Sequence, residues 1–185
     1  MRALKDHRSV STCCHLKLFL DHPALDLNIK DDAGFTALHM AVTGENLEAV
    51  RDLAPRCGEG TNFKDVRGKT ALVVAAEAAE RVGDCTCEAT AMVEALLCVD
   101  KIDASLGDDH EMTPLHYAAS RGDFNMCRLL AARVDGGILA KCAVGKTPLE
   151  YAKDGEVAAL LLGFQRKAEA MRARYASSEG EPMEY

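Results

Sequence analysis

Apolar positions in this chain fall into paired short runs, each pair announced by a threonine. Thr36-Ala37-Leu38-His39 leads into Ala41-Val42, and a second run follows through Leu47, Val50 and Leu53. Thr70-Ala71-Leu72 leads into Ala75-Ala76 and ends at Leu96-Leu97. Thr113-Pro114-Leu115-His116 leads into Ala118-Ala119, breaks at Gly122 and ends at Leu129-Leu130. Thr147-Pro148-Leu149 precedes Ala152 and ends at Leu160-Leu161. Spacings of three and four predict helices, with one apolar face each. The threonine before each run is a helix N-cap, its hydroxyl taking up an amide that the first turn leaves unpaired. A pattern that recurs in this way is a repeat array of helix pairs.

The repeat sets the boundaries. Residues 1–30 form a partial capping unit, with Leu16, Phe19 and Leu20 on one helical face and His22-Pro23 ending it. Residues 31–64 are a repeat that opens with the turn residues Asp31-Asp32-Ala33-Gly34, and Pro55 and Gly58 are expected to stop its second helix. Residues 65–107 are a repeat in which Leu72 to Val93 is about ten residues longer than the matching intervals Leu38 to Ala49 and Leu115 to Met126. The extra segment lies near 80–90 and either extends the helices or forms a loop. Residues 108–141 are a repeat with Glu111 where the others carry Gly34, Gly68 and Gly145. That turn is either distorted or holds His110 or Glu111 in a strained conformation. Residues 142–162 are a shortened repeat. Residues 163–176 form a C-terminal helix, with Phe164, Ala168, Met171 and Tyr175 inward and Arg166, Lys167, Arg172 and Arg174 outward. Residues 177–185 are expected to be a disordered acidic tail.

Composition narrows the function. Of the 185 residues 48% are apolar and 5% aromatic, with no Trp, which suits close-packed small helices. The net charge of −7 argues against nucleic acid as the main ligand. No apolar run of signal-peptide or membrane-span length occurs, so membranes are not expected partners. The eight cysteines read as reduced thiols of a cytoplasmic or nuclear protein. Cys98 and Cys127 sit beside leucine runs as small hydrophobes.

Four motifs suggest chemistry. Gly68-Lys69-Thr70 and Gly145-Lys146-Thr147 look like the end of a phosphate loop, but Phe63 and Ala140 stand where its first Gly belongs. His39 and His116 could act as bases, yet no nucleophile recurs with them. Cys85-Thr86-Cys87 and Cys13-Cys14-His15 lack the spacing of a structural zinc site. No catalytic residue, metal or cofactor is therefore assigned, and the chain is read as not an enzyme. The alternatives are a metal- or redox-responsive protein using Cys85 and Cys87, or a piece of a larger enzyme in which the repeats serve targeting.

The units resemble the ankyrin repeat. The resemblance is carried by Asp31, Gly34, Thr36, Leu38, His39 and Ala41; by Asp65, Gly68, Thr70, Leu72, Ala75 and Ala76; by Asp108, Thr113, Pro114, Leu115, His116, Ala118, Ala119 and Gly122; and by Gly145, Thr147, Pro148, Leu149 and Ala152. Departures are Ala37 and Ala71 for the usual Pro, Val73 and Glu150 for the usual His, and the insertion. The resemblance implies an all-α repeat solenoid of stacked antiparallel helix pairs with short projecting hairpin-like turns. It gives His39 and His116 a bracing role. It makes Asn28, after Leu20 and Asp26, similar to asparagines that hydroxylases modify. It implies a scaffold, adaptor or regulatory subunit that binds another protein through hairpin tips and first helices. On this chain those positions are Asp32, Ala33, Phe35, Thr43, Val66, Arg67, Lys69, Glu77, Asp109, His110, Met112, Ser120, Arg121, Val144 and Lys146, with Ala143 beside them. Phe35 and Met112 are the expected exposed apolar anchors. Arg67, Lys69, Arg121 and Lys146 predict an acidic or mixed-charge partner surface, and the chain is expected to be a monomer.

Overall fold

The computed structural model describes residues 26–78, 86–133 and 137–178. The partial capping helix, most of the insertion with Cys85, the Cys13-Cys14-His15 cluster and the acidic tail beyond Ser178 lie outside the described residues. Among the described residues there are eight α-helices and no strand beyond an isolated antiparallel bridge between Lys64 and Thr70. The fold class is the all-α repeat that the paired runs indicate. The chain divides into two compact lobes, Met1–Asp103 and Ala104–Tyr185.

In the first lobe α1 (Ala37–Thr43) pairs with α2 (Leu47–Cys57), and α3 (Ala71–Ala78) pairs with α4 (Thr86–Leu97). First helix packs on first helix and second on second, so α1 meets α3 and α2 meets α4. The core contains Leu38, Val42, Val50, Leu72, Val73, Val93 and Leu96, each wholly buried. Each such side chain contributes about 1.5–3 kcal/mol relative to exposure. Small alanines at 71, 75 and 76 are equally buried and let the helices approach closely. The α1–α2 joint is compact because Asn46 accepts the Ala49 amide at 3.0 Å as an N-cap.

Pro55 does not stop α2. The helix runs on through it to Cys57 and ends at Gly58, whose φ is +56°. Proline costs a helix the bond its amide would have given to the residue four before, here Arg51. Both residues are exposed, so water can take up that carbonyl. A short 3₁₀ turn, Gly58–Asn62, follows. Its Asn62 side chain donates to the Lys101 carbonyl at 2.8 Å and accepts the Asp103 amide at 2.9 Å, tying it to the exit of α4. The helix α4 begins at Thr86, so the insertion's later part is helical.

In the second lobe α5 (Pro114–Arg121) pairs with α6 (Phe124–Ala132), and α7 (Pro148–Tyr151) pairs with α8 (Gly155–Ser178). Leu115, Ala118, Ala119, Met126, Cys127, Leu130 and Leu161 have no exposed surface. Gly122, at φ +77°, closes α5, and Asp123 opens α6 by accepting the Met126 amide at 3.0 Å. The separate C-terminal helix expected over 163–176 is instead the continuation of one helix from Gly155. Nothing between Leu160 and Ala170 breaks it, because Gly163 is its sole weak helix former. Its inward face is Val157 and Leu161, and Phe164 and Ala168 are half-buried. Met171 is exposed, as are Arg166, Lys167, Arg172 and Arg174.

Candidate partner-binding surface

The projecting turns are built on one plan. Asp31 accepts the amides of Ala33 and Phe35 at 3.0 and 2.7 Å with a single carboxylate oxygen. Asp65 does the same for Arg67 and Lys69, both at 2.8 Å, and Asp108 for His110 and Met112 at 2.9 and 3.0 Å. A residue in the left-handed region then closes the turn. Gly34, Gly68 and Gly145 do so at φ +76°, +71° and +78°. At Gly34 a Cβ would also come within 2.9 Å of the Val66 amide nitrogen. In the third turn Glu111 itself takes φ +58°, which is the strained alternative. The turn closes in the same way because the Glu111 amide still reaches the Asp108 carbonyl at 2.8 Å.

The fourth turn has Cys142 in the aspartate position. Its thiol lies 3.5 Å from the Tyr151 hydroxyl, as Asp108 accepts from the Tyr117 hydroxyl at 2.7 Å. The hydrogen bond from Tyr151, then the Val144 and Lys146 amides, hold the thiol below its ordinary pKa.

Within each lobe the two tips are joined side by side. The Val66 amide donates to the Ala33 carbonyl at 3.1 Å, and the Ala143 amide donates to the His110 carbonyl at 2.9 Å. Two histidines lock the joints from below. His39 Nε2 lies 3.1 Å from the Lys69 carbonyl, and His116 Nε2 lies 3.1 Å from the Lys146 carbonyl. A carbonyl only accepts, so Nε2 carries the proton and Nδ1 is bare. Nδ1 then accepts from the hydroxyl of Thr36 at 2.9 Å and of Thr113 at 2.8 Å. Both imidazoles are wholly buried, and that burial pushes their pKa down against the smaller opposing pull of the carbonyls. They are neutral braces between neighbouring turns. In α7 Glu150 takes the same place, accepting the Thr147 amide at 2.7 Å.

The tip positions differ in what they show to solvent. Val66 and Val144 are 66% and 74% exposed. Phe35 and Met112, expected to stand out as anchors, are half-buried instead. Phe35 lies against the His39 ring at 5.8 Å with the planes 21° apart, so the bracing histidine draws the phenyl inward. Asp32, Arg67, Asp109, His110, Ala143 and Lys146 are exposed, and Ala33 is half-buried. The Lys146 ammonium sits 5.8 Å from the Tyr151 ring centre. Of the helix positions Thr43 is exposed, and Glu77, Ser120 and Arg121 are half-buried.

The basic face is weaker than the residue count suggests. Lys69 pairs with Glu77 at 2.6 Å within the first lobe, which neutralises both expected contacts. The structure adds Met40, 56% exposed at the fourth position after Thr36. Tyr117 and Tyr151 hold that register after Thr113 and Thr147. The repeat register contained this signal, but a methionine in an apolar run reads as core. Among the described residues no group of three or more His, Cys, Asp and Glu could hold a metal. No described helix is long and apolar enough to cross a membrane.

Comparison with known proteins agrees with this architecture. A family model described as ankyrin repeats (3 copies) matches residues 1–87 and 84–172. The chain is also similar to SMC5-SMC6 complex localization factor protein 1. The cattle (Bos taurus) and human (Homo sapiens) proteins are each 40% identical over 57 residues, 31% of this chain. The mouse (Mus musculus) protein is 40% identical over 53 residues, 29% of this chain. The chain spans about 5% of the length of these relatives. Aspartate-braced turns, threonine-capped helix pairs and a family match over most of the sequence lead to one conclusion: this chain belongs to the ankyrin repeat family.

Proposed function

We propose that the chain is a non-enzymatic scaffold that holds a partner protein on its turn tips and first helices. Ankyrin repeats bind other proteins, and the arrangement of the tips carries the reading here. Aspartate side chains that accept turn amides, and lateral backbone bonds within each lobe, hold the tips in place, so binding costs little ordering entropy. Val66 and Val144 are the apolar anchors, in place of Phe35 and Met112. Arg67 with Asp32 in the first lobe, and Lys146 with Asp109 in the second, give each pair of tips a mixed charge that fits a partner surface of mixed charge. The similar relatives are named for localising a protein complex. That supports a role in positioning a partner rather than transforming it.

The test is affinity capture with wild type and with Val66→Asp/Val144→Asp, after confirming equal helicity and melting temperature. Partners that depend on the tips should be lost from the variant. An unchanged set of captured proteins would overturn the reading.

A further inference from the structure

The second helices of the first lobe leave a groove that the turn tips do not touch. A cavity of about 560 Å³ lies between α2 and α4. Arg51 and Pro55 line one wall, and Ala91, Glu94, Ala95 and Cys98 line the other. The lining residues recur at helical spacing, so the groove follows both axes for about two turns. It exists because the helices join below it through Val50, Leu53, Met92, Val93 and Leu96, which are buried. The positions above that seam are alanine and proline, too small to fill it. Its volume falls within the range of about 300–1,000 Å³ seen for binding pockets.

The charges on the walls indicate what fits. Arg51 on the α2 wall and Glu94 on the α4 wall are exposed and opposite in sign; at the end of the α4 wall the lining adds Asp100, also exposed, and Lys101, whose ammonium pairs with Glu59 at 2.9 Å. No salt bridge joins Arg51 to Glu94. Pro55 also leaves the Arg51 carbonyl without its helical donor, an acceptor on the same wall. The occupant must therefore be rod-shaped, apolar on one stripe, acidic along one flank and basic along the other.

We propose that this groove receives an amphipathic helix of a partner protein. Its apolar side chains at i, i+4 and i+7 enter between Pro55 and Ala95, its acidic flank meets Arg51 and its basic flank meets Glu94. This surface shares no residue with the tip and first-helix surface proposed above, so the two can be tested apart.

The probes are fluorescein-labelled, alanine-rich helical peptides of about 18 residues with leucines at i, i+4, i+7 and i+11. Three flank patterns are compared by anisotropy: acidic with basic, both acidic, and both basic. Wild type should bind the mixed peptide roughly three- to tenfold tighter than either single-sign peptide. Glu94→Arg leaves Asp100 as the acidic group of the α4 wall and should shift the preference away from the mixed peptide toward the doubly acidic one. Bound mixed peptide should slow alkylation of Cys98, and Val66→Asp should leave its affinity unchanged. An order of affinities that Glu94→Arg does not alter would overturn the proposal. So would loss of binding in Val66→Asp, which would put the peptide on the tips. Uptake of a small apolar dye without binding of any of the three peptides would also overturn it.

Discussion

Replacing Asp108 by alanine tests the physical basis of the turns. Asp108 is 4% exposed and accepts three hydrogen bonds, from the His110 and Met112 amides and the Tyr117 hydroxyl. A hydrogen bond to a charged group contributes about 1.5–3 kcal/mol to a folded protein. His110 is exposed at the tip, so water recovers most of what its amide loses. The Met112 amide and the Tyr117 hydroxyl are half-buried and recover less. The expected loss is therefore about 3 kcal/mol. Asp31 makes the same two amide bonds from an exposed position and lacks a tyrosine partner. Asp31→Ala should cost about 1 kcal/mol, like removal of an ordinary helix cap. The contrast of about 2 kcal/mol between two chemically identical substitutions is the sharp expectation. Urea unfolding followed by far-ultraviolet circular dichroism measures it. The midpoint for Asp108→Ala should fall by roughly 1–2 M, and a cycle with Tyr117→Phe should give a coupling of about 1 kcal/mol. Equal losses for the two aspartates, or no coupling to Tyr117, would refute burial as the source of the difference.

His39 and His116 have folded pKa values below the ordinary 6.5 because burial disfavours the imidazolium. The unfolded chain therefore binds more protons below pH 6.5, so stability is flat above about pH 7.5 and falls as pH drops through 6.5 toward the folded values. Ring-proton titrations by NMR with midpoints at or above 6.5 would contradict this. Burial pushes the Cys57 thiol up to about 11 and the Cys127 thiol to about 12, whereas Cys98 is exposed. Iodoacetamide at neutral pH should label Cys98 ahead of Cys57 and Cys127 by peptide mass spectrometry, and labelling of the three at equal rates would contradict the packing. Glu111→Gly relieves a left-handed backbone and should stabilise by up to about 1 kcal/mol, while Glu111→Val should destabilise, both read by urea midpoint. Cys142→Asp restores the carboxylate acceptor for the Val144 and Lys146 amides and should raise the urea midpoint; a fall would show that the thiol is the better fit.

Most of the fold was legible in local chemistry. Threonine before Leu38, Leu115 and Leu149 marked helix starts because only a short side-chain acceptor relieves the first-turn amides. Glycines 34, 68 and 145 marked turn closures because other residues pay for positive φ. These are short-range rules, and they recur, so each unit corroborates the others. Their limits are equally local. Pro55 breaks a helix in isolation, yet α2 continues through it, because packing of Val50, Leu53, Ala54 and Cys57 outweighs one lost bond. Nothing at Gly163 told whether one helix or two closed the chain; the continuous face from Val157 to Ala168 decided it.

Which tip residues meet solvent was decided by tertiary contacts alone. Phe35 and Val66 are both apolar residues on turns, and by sequence the larger is the better anchor. The difference is that a buried imidazole lies beneath Phe35 and open water lies around Val66. The Lys69–Glu77 pair, eight residues apart, and the groove between α2 and α4 arise the same way. Each joins side chains whose meeting depends on how helices stack, a distance relation that the linear pattern does not contain. The sequence by itself determined where helices begin, which faces are apolar and that the units repeat. The tertiary structure decided which of the remaining side chains are left free to bind.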